Sequence, residues 1–359
     1  MKTEMLSELR QFLDSLPDIR GKRIYIWGTG NTTQLYLEGF ARIPDFRIEA
    51  YVDNNPAKQG TTLGGIPVLA PSELKAAPDM MILVCTGQPA AWKSISAQLA
   101  KTDLPFAYVD AGIWGLYKAE IMQIFQLLED PRSKSIYLHI LKTRSACLPP
   151  DEDAVCGDQY FSVPAFQERS SAETFIDCGA FVGDTIEQYL FAHEGVCKKL
   201  IGFEPDPDNM KAMQHRAERL KQEWNLRDQM LILYPYAVGD QNTVQYLERC
   251  DANNGLGSKM HSAASGNTDA CQTVTLTDYL CENCFVKADI ESYEYRMLTG
   301  AEQAIRQYRP KMAVCIYHNA VDFVTIPLLV HALCPAHNLR IRQHSFHIAD
   351  TVLYAYDAP

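Results

Sequence analysis

Phe175-Ile176-Asp177-Cys178-Gly179-Ala180-Phe181-Val182-Gly183-Asp184-Thr185 is the stretch whose reading decides the fold. An apolar run ends in Asp177, two glycines follow, and Asp184-Thr185 lead into Ile186-Glu187-Gln188-Tyr189-Leu190, which reads as the first turns of a helix. The stretch is a strand, a glycine loop and a helix start. Gly179 and Gly183 carry no Cβ, so such a turn lets a ligand approach the backbone. It also points the helix's free N–H groups into the crevice at the strand's C-terminal end. A ligand with polar ends is expected there.

Working outward toward the C-terminus, the apolar run 200–203 ends in Glu204-Pro205-Asp206, where the next strand of a βαβ unit would finish. A carboxylate at that tip can accept hydrogen bonds from both hydroxyls of a ribose. A helix over 208–224 returns the chain to a strand at 230–233, and Tyr236-Ala237-Val238-Gly239-Asp240 follows, with small residues that would leave a slot for a flat base. Another apolar run, 285–288, ends at Asp289, again at the edge where a ligand crevice opens.

The quoted stretch, together with Phe203-Glu204-Pro205-Asp206, Tyr236-Ala237-Val238-Gly239-Asp240, Lys287-Ala288-Asp289-Ile290-Glu291-Ser292-Tyr293-Glu294 and Leu298-Thr299-Gly300-Ala301, resembles the successive motifs of the FkbM family of S-adenosylmethionine-dependent methyltransferases. The resemblance covers roughly the C-terminal half. It implies a class I methyltransferase fold, Rossmann-like with a seven-stranded mostly parallel sheet, and S-adenosyl-L-methionine as cofactor. The implied reaction is methylation of a hydroxyl on a saccharide, glycolipid or related metabolite. Carried over by position, Asp177, Gly179, Ala180, Phe181, Gly183, Asp184 and Thr185 form the cofactor loop, Glu204 with Pro205 and Asp206 serves the ribose, and Ala237, Val238 and Asp240 flank the adenine. Asp289 would touch the cofactor as well.

Methyl transfer to oxygen is an in-line displacement, so the protein must aim the acceptor and take its proton. Asp289, Glu291 and His318 are the catalytic candidates, His318 because it follows the strand 312–317; a capping or loop histidine is the alternative. The same groups suit Mg²⁺ or Mn²⁺, but their spacing is not diagnostic and no metal is assigned. Lys287 is expected to orient a carboxylate. Two positions depart from the family: Thr277 where Asp is frequent, and Ser292 where Gly is. Ser292 puts the turn that carries Glu291 in question, because Gly tolerates φ > 0.

The N-terminal half holds a second strand-turn-helix unit, Arg23-Ile24-Tyr25-Ile26-Trp27 followed by Gly28-Thr29-Gly30-Asn31. The third glycine of a dinucleotide fingerprint would fall at Thr33 and is missing. A strand over 48–52 ends in Asp53, and strands at 65–68, 80–85 and 107–109 with a helix over 91–99 complete a small parallel α/β domain. This region, through Gly28-Thr29-Gly30, Val52-Asp53-Asn54-Asn55-Pro56 and Leu63-Gly64-Gly65-Ile66-Pro67-Val68, resembles the Rossmann-like domains of sugar-modifying enzymes. The resemblance implies a nucleotide-linked sugar as its ligand, with a structural or oligomerisation role as the alternative. The expected layout is a Rossmann-like domain over 1–114, a helical connector and lead-in over 115–170, and the methyltransferase domain over 171–359. Gln159-Tyr160-Phe161 in the lead-in either line the cleft or anchor the loop.

Composition narrows the rest. The chain has 359 residues, 47% hydrophobic and 21% charged, with a net charge of −11 and no dense run of Lys and Arg, which excludes a polyanion-binding surface and hence nucleic acid as a partner. The first twenty residues alternate charged and apolar like an amphipathic helix, without the apolar core of a signal peptide, and no apolar run is long enough to span a bilayer. A cytoplasmic protein is expected. The 11 cysteines follow no disulfide framework; Cys281-Glu282-Asn283-Cys284 could hold zinc or a redox disulfide, against a coincidental pair beside a strand. The polar, glycine-rich segment 251–267 reads as a lid or a surface loop. Residues 339–344 and 351–356 read as a terminal hairpin, with His344 and His347 between its strands. Two other functions remain open: a nicotinamide-dependent oxidoreductase working through Gly28-Thr29-Gly30 and Asp53, and a non-catalytic protein that binds the cofactor.

Overall fold

The computed structural model describes residues 2–249, 258–261 and 268–357. Most of the segment read as a lid or loop, 251–257 and 262–267, lies outside the described residues. The chain divides into two compact units, Met1–Val155 with Tyr317–Thr325 and Ser345–Asp350, and Cys156–Ile316 with Ile326–His344 and Thr351–Pro359.

The first unit begins with α1 (Lys2–Ser15), β1 (Arg23–Trp27), α2 (Asn31–Phe40), β2 (Ile48–Val52), β3 (Thr62–Leu63), β4 (Ile66–Leu69), β5 (Met80–Val84), α3 (Pro89–Leu99) and β6 (Phe106–Tyr108). Its sheet runs β3-β4-β2-β1-β5-β6. Every residue of β5 is buried, the signature of a parallel strand covered on both faces. One pairing departs from the parallel expectation: β3 runs antiparallel to β4, because Gly64 and Gly65 at φ +57° and +79° make a two-residue hairpin turn.

Three helices follow, α4 (Val109–Leu116), α5 (Lys118–Leu127) and α6 (Pro131–Ser145). The helical pattern was expected from about residue 115, and α4 starts earlier, at Val109. Its Gly112 and Gly115 look like helix breakers in sequence. In the fold they are close-approach points: a Cβ on Gly115 would lie 1.9 Å from the Pro17 carbonyl oxygen, and one on Gly112 would lie 2.4 Å from Leu83 Cδ2. Pro131 opens α6 as expected, with Asp130 as its cap, accepting from Ser133 N at 2.6 Å.

The second unit holds β7 (Thr174–Cys178), α7 (Asp184–Ala192), β8 (Lys199–Phe203), α8 (Pro207–Glu223), β9 (Leu231–Tyr234), β10 (Ala237–Val238), β11 (Thr243–Glu248), β12 (Lys259–His261), β13 (Thr268–Val274), β14 (Cys284–Ala288), α9 (Glu294–Gly300), α10 (Glu302–Tyr308) and β15 (Lys311–Cys315). Then come α11 (Asp322–Leu333), which crosses the division of the chain at 325/326, and the strands β16 (His337–Gln343) and β17 (Thr351–Asp357). The main sheet is seven-stranded, β16-β17-β15-β14-β7-β8-β9. β17 runs antiparallel to both its neighbours, and the terminal hairpin is as expected. The quoted stretch thus opens with β7, the middle one of the five parallel strands β15-β14-β7-β8-β9, and crosses over through α7 to β8. A second sheet, β10-β13-β11-β12, is an addition that the sequence reading did not contain.

Among the described residues no helix is long and apolar enough to cross a membrane.

Candidate active site

The site begins with a buried ion pair. β7 and β14 are adjacent and parallel, and their register sets Asp177 opposite Lys287, so both side chains leave the same face. Lys287 Nζ lies 2.9 Å from Asp177 Oδ1 and donates to Gly179 O at 2.8 Å. Burial pushes the Asp177 carboxyl up to about 6 against the pull of Lys287. The same burial works against Lys287, but Asp177 and Asp289 outweigh it and hold its ammonium above the usual lysine range. The ion pair lets Lys287 orient the Asp177 carboxylate, as expected. Among the described residues, neither Asp177 carboxylate oxygen has a hydrogen-bond donor besides this ion pair.

The glycine loop follows. Gly179 N and Ala180 N both donate to Phe203 O, at 3.1 and 2.9 Å, tying the loop to the end of β8. Gly179, Phe181 and Gly183 hold φ of +77°, +48° and +78°. The two glycines serve the protein's own packing: a Cβ on Gly179 would meet the Asp289 carbonyl oxygen at 2.0 Å, and one on Gly183 would meet Met213 Cγ at 2.9 Å. This refines the expectation that their bare backbone admits a ligand. Their small size brings the turns after β7 and β14 together and lets α8 pack on the start of α7. Asp184 opens α7, and Thr185 is buried beside it.

Glu204, only 6% exposed, closes β8. Its Oε2 accepts from Phe181 N at 2.9 Å, and its Oε1 accepts from Asp206 N at 2.9 Å and Asn209 Nδ2 at 3.5 Å. Burial pushes its carboxyl up to about 7, with the two backbone N–H groups pulling the other way. A carboxylate offers about four acceptor positions, so these donors leave room for a ligand hydroxyl. Pro205 leads into α8. Asp206 caps that helix, accepting from Asp208 N at 2.8 Å and Asn209 N at 3.2 Å, and takes Arg249 Nε at 3.0 Å.

Ala237 and Val238 form β10, and Ala237 is buried with Leu247 and Cys271 in the core of the second sheet. Asp240 pairs with Arg296 at 3.3 Å, and the Arg296 guanidinium lies over the Tyr293 ring.

Asp289 follows β14 and accepts from the Tyr160 hydroxyl at 3.0 Å. Tyr160 is a residue whose place the sequence left undecided. Its backbone N donates to Tyr354 Oη at 2.9 Å, and its ring lies 5.3 Å from Lys287 Nζ, so the lead-in aromatic is part of this cluster. Glu291 and Ser292 hold φ of +55° and +77°, so the serine adopts the glycine-favouring backbone that its position in the motif implies. Buried Glu294, the last residue of that motif, accepts from Ile290 N at 2.7 Å and fixes the turn.

His318 belongs to the first unit's segment Tyr317–Thr325, where it is buried with its ring against that of Tyr317 at 4.1 Å. His344 is committed elsewhere: its Nδ1 contacts Cys156 O at 3.0 Å and its Nε2 contacts Tyr354 Oη at 2.8 Å. Burial lowers it to about 4, so it stays neutral at physiological pH. His347 is exposed. In the first unit, Asp53 accepts from Thr29 N at 3.2 Å, Thr29 Oγ1 at 2.5 Å and Asn55 N at 2.9 Å, and pairs with Lys58 at 3.4 Å. Its carboxylate is therefore occupied by its own loop.

A seven-stranded, mostly parallel sheet with a glycine loop after the middle one of its five parallel strands, and carboxylates closing the neighbouring strands, defines the Rossmann-like methyltransferase class. Residues 177–348 match the family described as Methyltransferase FkbM domain, and residues 2–101 match the C-methyltransferase C-terminal domain. Residues 177–348 are therefore a methyltransferase domain similar to the FkbM family, with S-adenosyl-L-methionine as its cofactor. The crystal structure of methyltransferase FkbM from Methylobacillus flagellatus KT is similar over 99% of this chain and 100% of that chain, with a TM-score of 0.58 and 18% identity, a likeness of fold. An rRNA methylase from Streptococcus thermophilus is 12% identical over 52% of this chain and 87% of that chain, with a TM-score of 0.30. No curated protein matches the chain.

Proposed function

We propose that this methyltransferase transfers its methyl group to a hydroxyl oxygen of a saccharide, glycolipid or related metabolite. The observation behind the reading is the placement of Asp177, Glu204 and Asp289 at the C-terminal ends of three adjacent parallel strands, β7, β8 and β14. The donor set fits the cofactor. S-adenosylmethionine carries an ammonium, a sulfonium and ribose hydroxyls, and the chain offers buried carboxylates, Asp177 with no donor among the described residues besides its ion pair and Glu204 with acceptor positions to spare. Glu204 would hold the ribose. Asp177, Gly179, Ala180, Phe181, Gly183, Asp184 and Thr185 would cradle the methionine end, and Ala237, Val238 and Asp240 would flank the base.

The bound cofactor supplies an electrophilic methyl group. The chain's own task is to place the acceptor oxygen in line and to take its proton. Asp289 is the leading base, because it stands at the C-terminal end of β14 with its carboxylate oriented by the Tyr160 hydroxyl. Glu291 and His318 are the further candidates. A nucleotide-linked sugar is the ligand that the first unit's resemblance suggests for that unit.

Calorimetry with S-adenosylhomocysteine and turnover on a panel of sugars and sugar nucleotides test the reading together. Asp289→Asn is expected to bind S-adenosylhomocysteine as the wild type does and to lose on the order of a hundredfold or more in turnover. Full turnover in that variant removes Asp289 from its role, and transfer only to carbon or nitrogen acceptors would overturn the hydroxyl assignment.

A further inference from the structure

The turn Cys281-Glu282-Asn283-Cys284 precedes β14, at the edge of the sheet opposite to Asp177, Glu204 and Asp289. Both cysteines are free thiols, and their Sγ atoms stand 3.4 Å apart. Cys284 Sγ also accepts Cys281 N at 3.2 Å. Asn283, at φ +58°, folds the chain back between them, and its carbonyl accepts from Thr174 N at 3.0 Å, which anchors the turn to the start of β7. Cys281 is partly exposed; Cys284 is buried and, with Glu282 and Asn283, lines a cleft of about 660 Å³. A disulfide bond is about 2.05 Å long, so closure needs a movement of roughly 1.4 Å.

We propose that Cys281 and Cys284 are a dithiol site that small-molecule disulfides oxidise to an intramolecular disulfide. The Cys281 thiol loses its proton and attacks one sulfur of the disulfide; the departing thiolate takes up a proton, and a mixed disulfide remains on Cys281. Burial pushes the Cys284 thiol up to about 12, so it keeps its proton until this stage. Its sulfur then attacks Cys281 Sγ, and its proton leaves with the second departing thiolate. Two protein thiols become one S–S bond, and the external disulfide becomes two thiols, so electrons and protons balance. The product locks the entry to β14, whose other end carries Asp289.

The test uses the full-length protein, incubated with oxidised glutathione, alkylated, and mapped by mass spectrometry on the peptide that ends at Lys287. The expected peptide carries no alkyl group on either cysteine and is lighter than the reduced form by two hydrogens. In Cys284→Ser a glutathione adduct is expected to persist on Cys281. The proposal is overturned if both wild-type thiols remain alkylatable, or if a glutathione adduct persists on wild-type Cys281 without closure. The wild-type result decides even where the serine variant fails to fold.

Discussion

Glu204 is a carboxylate buried where the proposed ribose contact needs it charged. Burial pushes it from its ordinary 4.5 up to about 7, and the Phe181 and Asp206 N–H groups only partly offset this. The sign follows from linkage. A raised carboxyl binds its proton more tightly in the folded chain, so its contribution to stability is full below the unfolded value of 4.5 and is lost as pH rises through about 7. Ligand binding runs the other way, because hydroxyl donors bond more strongly to a carboxylate than to an acid. Affinity for S-adenosylhomocysteine is therefore expected to rise between about pH 6 and about pH 8 and to lose that slope in Glu204→Gln. Calorimetry across this range checks it; equal slopes in the two proteins would remove Glu204 from the ribose role.

The turns after β7 and β14 behave as one element. Gly179 sits where any side chain would strike the Asp289 backbone at 2.0 Å, at a φ of +77° that penalises a Cβ in any case. Gly179→Ala is expected to cost about 2 kcal/mol or more and to displace Asp289, lowering both the urea midpoint and turnover. An unchanged midpoint would mean that the turns can part freely. This pairing shows what the sequence can and cannot reveal. Asp177, Glu204 and Asp289 were legible because each ends an apolar run. Tyr160 was not placed, since its bond to Asp289 spans 129 residues of chain and leaves no local pattern. The strand β11 escaped notice because its small sheet buries few residues and its strands are rich in Thr and Gln. The helix α4 escaped because its glycines suit a close approach that only the folded chain contains.

At the scale of the whole molecule, the chain does not lay down its units one after the other. The first unit takes in residues 317–325 and 345–350, both of which follow β15 of the second unit's sheet in the chain. Within the first unit, fully buried Phe323 stacks on Tyr137 at 4.8 Å. Trp114 Nε1 donates to Ala320 O at 2.9 Å, and Arg144, paired with Asp110 at 2.7 Å, donates to Tyr317 O at 2.9 Å. A chain that stops at residue 155 leaves these buried donors without those acceptors, at about 1–3 kcal/mol each, and opens a cavity where Phe323 sat, at about 3–5 kcal/mol. Against a domain stability of about 5–15 kcal/mol, that loss is most or all of the margin. The fragment 1–155 is therefore expected to show no cooperative urea transition and no near-ultraviolet circular dichroism from its packed tryptophans. Joining residues 317–325 to it through a flexible linker is expected to restore both. A cooperative transition in the bare fragment would show that the returning segment only decorates a unit that is already complete.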